Sequence, residues 1–395
     1  MATEKVWSKP FITIVVANFI FCFGFYALEP TLPLYVSSLG ASDTQVGLVA
    51  TGFFFAAIVT RIFLGFLVDK VGRKTMLRTG AVISVVFMLL YLLTAASLGA
   101  TLVRILQGVG YGMVTTMFGS IAADILPDSR RGEGIGYLSM STTGAVAFSP
   151  AVALAIVNHV GFRPMFLSAA FAMLLAAVCT FFLRIPENTL AAAGPDGAPA
   201  KPEKLPVWRK FYDPRVSLPA VLLMLYGICR VSEQNFIPLL AQQEALTVLS
   251  VFFVIKTWVC FGSKFLTAKI YDRKGPSSSI IPGGAAMAIC MLLLSMTHSN
   301  ATLLVTSVFS GIALGMIIPA FQAFVMDLVG RNQRSLGNAL FYNFLDIGTG
   351  IGGVIMGAIA NHAGYFNMFR FGMVLMILYL IIYCLSAVRR KHKNA

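Results

Sequence analysis

Twelve apolar runs constrain this chain more than any other feature. They fall near 11–36, 46–68, 77–98, 101–124, 134–157, 164–185, 216–240, 245–268, 277–297, 301–326, 337–360 and 367–388. Each has about the 20 residues that a helix needs to cross a bilayer. The runs are continuous rather than alternating, which suits helices that satisfy their own backbone groups and does not suit barrel strands. A mean hydropathy of +0.81, with 57% apolar and 12% charged residues, excludes an ordinary soluble domain. The first run is too long for a signal-peptide core and no small-residue cleavage site follows it, so it is expected to stay in the chain.

The net charge of +14 raises the question of a nucleic-acid partner, and its placement answers it. With a cytoplasmic N-terminus, 23 of the 30 Lys and Arg residues fall on the cytoplasmic side. Only Arg163 and Arg370 fall outside, and Arg61, Arg104, Arg230, Lys256 and Lys264 lie within runs. This is the positive-inside asymmetry; it predicts both termini in the cytoplasm of a multi-pass plasma (inner) membrane protein. The basic balance reports orientation in a lipid bilayer, and no nucleic acid is expected. The six cysteines all lie within runs and lack metal-ligand spacing, so they read as small apolar residues.

An internal repeat at an offset of 203 residues organises the runs. Arg61 maps to Lys264, Asp69 to Asp272, Gly72 to Gly275, Gly108 to Gly311, Asp124 to Asp327, Arg131 to Arg334 and Gly134 to Gly337. Asn158-His159-x-Gly161 returns as Asn361-His362-x-Gly364. The expected fold is therefore an all-α membrane protein of twelve transmembrane helices in two pseudo-symmetric six-helix halves. An even number of spans per half makes the copies parallel. The halves are read as 1–185 and 216–395, joined by a Pro- and Gly-rich cytoplasmic linker over 186–215.

Between the second and third runs, Gly65, Leu67, Asp69, Lys70, Gly72, Arg73 and Lys74 form a short basic turn. Asp69, at the end of its span, can face a helix N-terminus or a nearby arginine. The spacing resembles the G-x-L-x-D-[RK]-x-G-[RK]-[RK] loop of the major facilitator superfamily, and the duplication extends the resemblance over the chain. Arg104, Gln107, Gly108 and Gly110 resemble the R-x-x-Q-G-x-G pattern of its proton-coupled drug-exporting branches, where the arginine is associated with proton coupling. Asp124-x-x-Pro127-x-x-x-Arg131-Gly132 is also similar to the family's loop between helices 4 and 5. The family's G-x-x-x-G-P antiporter pattern is altered: Ala145 and Ser149 stand before Pro150. The resemblance implies a secondary transporter working by alternating access, with spans 1, 4, 7 and 10 lining the cavity. Gly65, Asp69, Gly72, Arg73, Asp124, Arg131, Asp272 and Asp327 are then read as a gating latch at the cytoplasmic ends of the spans.

A charge at mid-membrane costs about 2.5–3.5 kcal/mol on insertion scales, so each one needs a reason. Arg61 and Lys264 lie near enough to the cytoplasm to extend to it. Span 1 carries Asn18 and then Glu29, four residues before Pro33; span 7 carries Glu233, Gln234 and Asn235, with Glu233 five residues before Pro238. The two carboxylates are near pseudo-symmetric and about seven residues, or roughly 10 Å, below the outer interface. Glu29 has two readings: a proton acceptor whose affinity depends on the approach of Arg104, or half of a static ion pair. Arg230 can pair with Glu233 three residues on, or with Lys256 it can form a cationic substrate site. Asp346, among the glycines of span 11, can balance Lys256 or Arg230 or carry a second proton.

The candidate residues thus divide into proton-coupling (Glu29, Arg104, Asp346), substrate-binding (Asn18, Glu29, Arg230, Glu233, Gln234, Asn235, Lys256, Asp346) and gating sets. The aromatic and Met residues Phe53 to Phe55, Tyr111, Met113, Met117 and Phe118 face either a cavity or a neighbouring helix. His159 and His362 read as turn residues. With no phosphate-binding loop, nucleophile elbow or metal cluster, no enzyme, no cofactor and no ATP-driven pump is expected. The expected partners are protons and a small organic substrate that plausibly bears an anionic group, and the chain is expected to be a monomer. Proton-driven efflux leads; a proton symporter or a uniporter for an organic anion or sugar is the alternative.

Overall fold

The computed structural model describes residues 6–127, 130–183, 213–329 and 334–394. Among them there is no strand. The chain runs through α1 (Lys9–Tyr26), α2 (Leu28–Ser38), α3 (Asp43–Val71), α4 (Arg73–Leu90), α5 (Ser97–Ile125), α6 (Arg131–Val160) and α7 (Phe162–Phe182). It continues through α8 (Ser217–Gln243), α9 (Leu249–Lys274), α10 (Ser277–Leu294), α11 (Asn300–Val329) and α12 (Arg334–Asn394). Most of the expected linker lies outside the described residues.

Ten helices among the described residues are long and apolar enough to cross a membrane. The expected first span is α1 and α2 together, a 30-residue stretch. Its hydrogen-bond ladder breaks at Ala27, where Pro30 has no N–H to give the Tyr26 carbonyl, though Ala27 keeps helical backbone angles. The expected fourth span is α5, whose 29 residues are diluted in apolarity by Arg104, Gln107, Asp124 and several glycines. The expected last two spans are merged in α12, which is interrupted by non-helical Gly364. Its apolar part, 48 residues from Leu340 to Ala387, would extend about 72 Å at 1.5 Å per residue. That is more than twice a hydrocarbon core of about 30 Å.

The repeat is visible in the backbone. Gly72 and Gly275 have φ of 83° and 76°, and Gly161 and Gly364 have 96° and 81°. Both pairs stand at the repeat offset, in conformations that cost a side-chain-bearing residue dearly. Gly72 starts α4 and Gly161 separates α6 from α7, so the same turns recur in both copies. Exposed His159 and His362 sit beside these turns.

Packing divides the chain into two units. One joins Met1–Glu29 with Phe55–Lys204; the other joins Pro30–Phe54 with Leu205–Ala395. In the first, α1 packs on α6 and α7, and α4 on α5 and α7. Met113, Met117 and Phe118 belong to its buried core, whereas Phe55 is exposed. Arg78 donates to the Phe181 carbonyl at 2.7 Å, satisfying one of the free carbonyls that end α7. In the second unit, α8 packs on α12 and α9 on α11. There the Thr51 hydroxyl donates to the Gly350 carbonyl at 2.5 Å and the Tyr365 hydroxyl to Asp43 Oδ1 at 2.7 Å. Exposed Phe63, Phe171, Phe182, Trp258 and Phe265 give the helices the apolar exterior that acyl chains require.

Glycines set how closely these helices approach. A Cβ at Gly80 of α4 would lie 2.6 Å from the Met113 Cβ of α5, and one at Gly227 would lie 2.8 Å from the Leu345 carbonyl oxygen. Gly119, by contrast, faces open space within 4 Å. Gly80→Val is therefore expected to cost about 1–3 kcal/mol through overpacking. Gly119→Ala should leave stability unchanged or raise it by up to about 1 kcal/mol, since it removes a helical glycine. Thermal unfolding of the detergent-purified protein checks the contrast.

Candidate functional site

In the first unit the ionisable cluster gathers where α1 breaks. Arg104, two turns inside α5, is buried, and its Nη1 donates to Gln107 Oε1 at 2.9 Å. The spacing of three residues puts both on one face of the helix. Tyr91, in the turn after α4, donates its hydroxyl to the same oxygen at 3.3 Å. The Tyr91 ring is itself stacked on Phe166 of α7, with centroids 5.0 Å apart. The guanidinium lies 4.9 Å from the centre of the Phe25 ring, within cation–π range. Phe25 stacks on Tyr111 at 4.2 Å, and the Tyr26 and Tyr111 hydroxyls are 3.4 Å apart. Glu29, half-buried at the start of α2, acts electrostatically on both Arg104 and Tyr26. Gln107 Nε2 is buried with no hydrogen-bond partner among the described residues, so this cluster retains an open donor.

Asn18 lies two turns earlier on α1. Its Nδ2 donates to Ser141 Oγ and Thr142 Oγ1 of α6, each at 2.8 Å. This candidate substrate contact thus ties α1 to α6.

The second unit holds its own cluster. Lys256 of α9 is ion-paired through Nζ to Oε1 of Glu233 of α8. Ser310 of α11 donates to that same oxygen at 2.5 Å. A Cβ at Gly311 would sit 2.5 Å from the Lys256 carbonyl oxygen, so glycine is what lets α11 approach α9 there. The Lys256 ammonium is about 6 Å from the ring centres of Phe252 and Phe253. Gln234 is buried and Asn235 half-buried beside Glu233, and Asp346 is buried on α12. Arg230 and Glu233 both act electrostatically on buried Tyr226. The carboxylate that pairs with Lys256 comes from the neighbouring helix, from Glu233 rather than from Asp346.

Among the gating residues, Arg73 at the start of α4 is ion-paired with Asp124 at the end of α5. In the second unit Asp327 accepts a hydrogen bond from the Tyr271 hydroxyl at 3.1 Å. The repeat places Pro276 opposite Arg73, so Asp124 meets a cation where Asp327 meets a hydroxyl. Gly65 lies within α3, and the side chains of Asp69, Arg131 and Asp272 are outside what the structure describes.

Tyr91, Phe25 and the Ser141/Thr142 pair were not found in the sequence, and none carried a motif signal there. Ser310 did carry one. It stands at the repeat position of Gln107, immediately before Gly311 as Gln107 stands before Gly108. In each unit this position holds the ionisable group.

The model of the Major Facilitator Superfamily matches residues 14–300 and 255–395. The staphylopine export protein of Staphylococcus aureus is 24% identical, over 94% of this chain and 95% of its own length. The multidrug resistance protein MdtG of Salmonella paratyphi B is 25% identical, over 98% of this chain and 96% of its own. A solved POT family transporter in complex with a thioalcohol-conjugated peptide shares the fold. Its TM-score is 0.78 at 16% identity, covering 95% of this chain and 96% of that one.

The Glu233–Lys256 contact predicts a non-additive pair of substitutions. Removing one member of a buried ion pair strands the other charge and costs about 3–5 kcal/mol, while removing both leaves no charge to strand. Glu233→Gln and Lys256→Gln should each lower the unfolding midpoint strongly, and the double variant should recover most of the loss. Midpoints of the four proteins at neutral pH complete the cycle.

Proposed function

The chain belongs to the major facilitator superfamily, and from that premise we propose that it is a proton-coupled exporter of a small organic molecule. It is a multi-pass membrane transporter, not an enzyme. In this reading twelve spans form two six-helix halves in the inner membrane, with both termini cytoplasmic, and a monomer alternates between inward- and outward-facing states.

The observation that carries the coupling is Arg104, buried, held by the amide of Gln107 and within electrostatic reach of Glu29. An amide cannot change charge, so it holds the guanidinium without consuming a proton. Glu29 can change charge. A proton arriving from outside neutralises it, weakens its pull on Arg104 and favours return to the inward-facing state. Substrate binding from the cytoplasm then favours release of that proton, which is the reciprocity any coupled pair of sites obeys. The substrate contacts are drawn from Asn18 and from Arg230, Glu233, Gln234, Asn235, Lys256 and Asp346. One relative matched over nearly its whole length is named for export and another for multidrug resistance, which supports the outward direction.

A second reading, symport or uniport of an organic anion or sugar, is favoured by the altered antiporter pattern at Ala145 and Ser149.

Reconstituted proteoliposomes with an imposed pH gradient, tested in both directions against cationic, zwitterionic and anionic compounds, decide between them. The expected result is substrate flux opposite to proton flux, reduced at least tenfold in Glu29→Gln. Flux of substrate and protons in the same direction would establish the second reading. Full gradient-driven flux in Glu29→Gln would remove Glu29 from the coupling.

A further inference from the structure

We propose that the Glu233–Lys256 pair is the recognition element for a zwitterionic substrate group, an ammonium and a carboxylate on the same or adjacent carbons. That role rests on reading the second unit as the substrate side of the exporter, and it goes further by fixing the substrate's chemical class.

The reasoning is one of charge conservation in a poorly solvated place. Glu233 and Lys256 keep 5% and 12% of their side-chain surface exposed, and together they carry no net charge. A lone anion that took Lys256 would strand the Glu233 carboxylate. A lone cation that took Glu233 would strand the Lys256 ammonium. Either leaves a buried uncompensated ion unless a proton moves as well. A zwitterion leaves neither: its ammonium replaces that of Lys256 on Glu233, and its carboxylate replaces that of Glu233 on Lys256. The two protein groups begin in direct contact, so a ligand with close-set charges bridges them after only a small separation.

The geometry also says which partner moves. Glu233 is anchored by Ser310, whose hydroxyl donates to Oε1 at 2.5 Å from a third helix. Lys256 has a four-carbon stem and a point charge that reorients freely, and its ammonium stays within about 6 Å of the Phe252 and Phe253 rings. Lys256 therefore swings while Glu233 stays bonded to Ser310 of α11. The exchange is a swap of ion pairs with no covalent step and no net proton, so the pair binds substrate without contributing to the proton count.

The test measures binding to the full-length protein in detergent at pH 6.5 with no gradient. L-alanine, L-serine and L-phenylalanine are compared with their amides (cations) and their N-acetyl derivatives (anions). At least one free amino acid should bind, with both of its capped forms at least tenfold weaker. Glu233→Gln should abolish the preference for the free form over the N-acetyl form while keeping the preference over the amide. Lys256→Met should do the reverse. Should the single variants fail to fold, Glu233→Gln/Lys256→Gln should fold and lose both preferences. The exchanged pair Glu233→Lys/Lys256→Glu should retain both. The proposal is overturned if no free amino acid binds the wild-type protein, if capped forms bind equally well, or if the variants lose thermal stability with selectivity unchanged. None of these results depends on a pH gradient, so they leave the export reading to be decided by the flux experiment.

Discussion

The structure is governed by the cost of holding a charge where there is little water. Elsewhere the helices need only be apolar outside and closely packed inside, and Leu, Phe, Ala and Gly supply that. At Arg104, Glu233 and Lys256 the chain departs from this rule, and it surrounds each departure with partners. Arg104 has an amide and an aromatic face. Glu233 has an ammonium and a hydroxyl on one oxygen. The polar contacts come from neighbouring helices as well as from the charge's own, so holding the charge and fixing the helix packing are the same act.

Duplication explains much of how those partners arose. Gln107 and Ser310 occupy equivalent positions, each preceding a glycine on the equivalent helix, and each bonds the ionisable group of its unit. The turn glycines keep the same left-handed conformation in both copies. Gly112 and Gly315 likewise meet equivalent neighbours, Ala57 on α3 and Cys260 on α9. Within this common frame the copies have diverged in charge. Where the first has Arg73 to pair with Asp124, the second has Pro276, and a tyrosine hydroxyl serves Asp327. Both contacts are charge-assisted, since each has a carboxylate as acceptor, but only the first also has a charged donor.

How far this was legible in the sequence depends on what each feature requires. Runs of apolar residues and a fixed offset are one-dimensional signals, and from them the helices and their turns could be placed. The twelve-span count was harder to match to helices. The α5 span trades apolarity for Arg104 and Gln107, and Gly364 interrupts α12 without ending it. Most of the cross-helix contacts were not legible. Whether Lys256 meets Glu233 or Asp346 depends on helix rotation about its axis, which hydropathy does not encode. The i, i+3 spacing that made an Arg230–Glu233 pair plausible says nothing about a competing ammonium from α9. Gln107 was quoted for its place in a pattern, but its physical task, accepting from both Arg104 and Tyr91, needed the turn after α4 to bring Tyr91 within reach.

The two clusters differ in a way that assigns them different work. A neutral ion pair can exchange partners with a neutral zwitterion and return to where it began, with no proton required. A cation held by an amide has no such freedom, because its holder cannot ionise. Whatever changes charge beside Arg104 must be another group, and Glu29 is a half-buried carboxylate acting on it from just beyond the break in span 1. The break is one missing hydrogen bond: Pro30 leaves the Tyr26 carbonyl without its helical donor, while Ala27 keeps helical backbone angles. In the proposed reading, proton sensing therefore belongs with the cluster around Arg104 and Glu29, and substrate recognition with the unit that holds the Glu233–Lys256 pair.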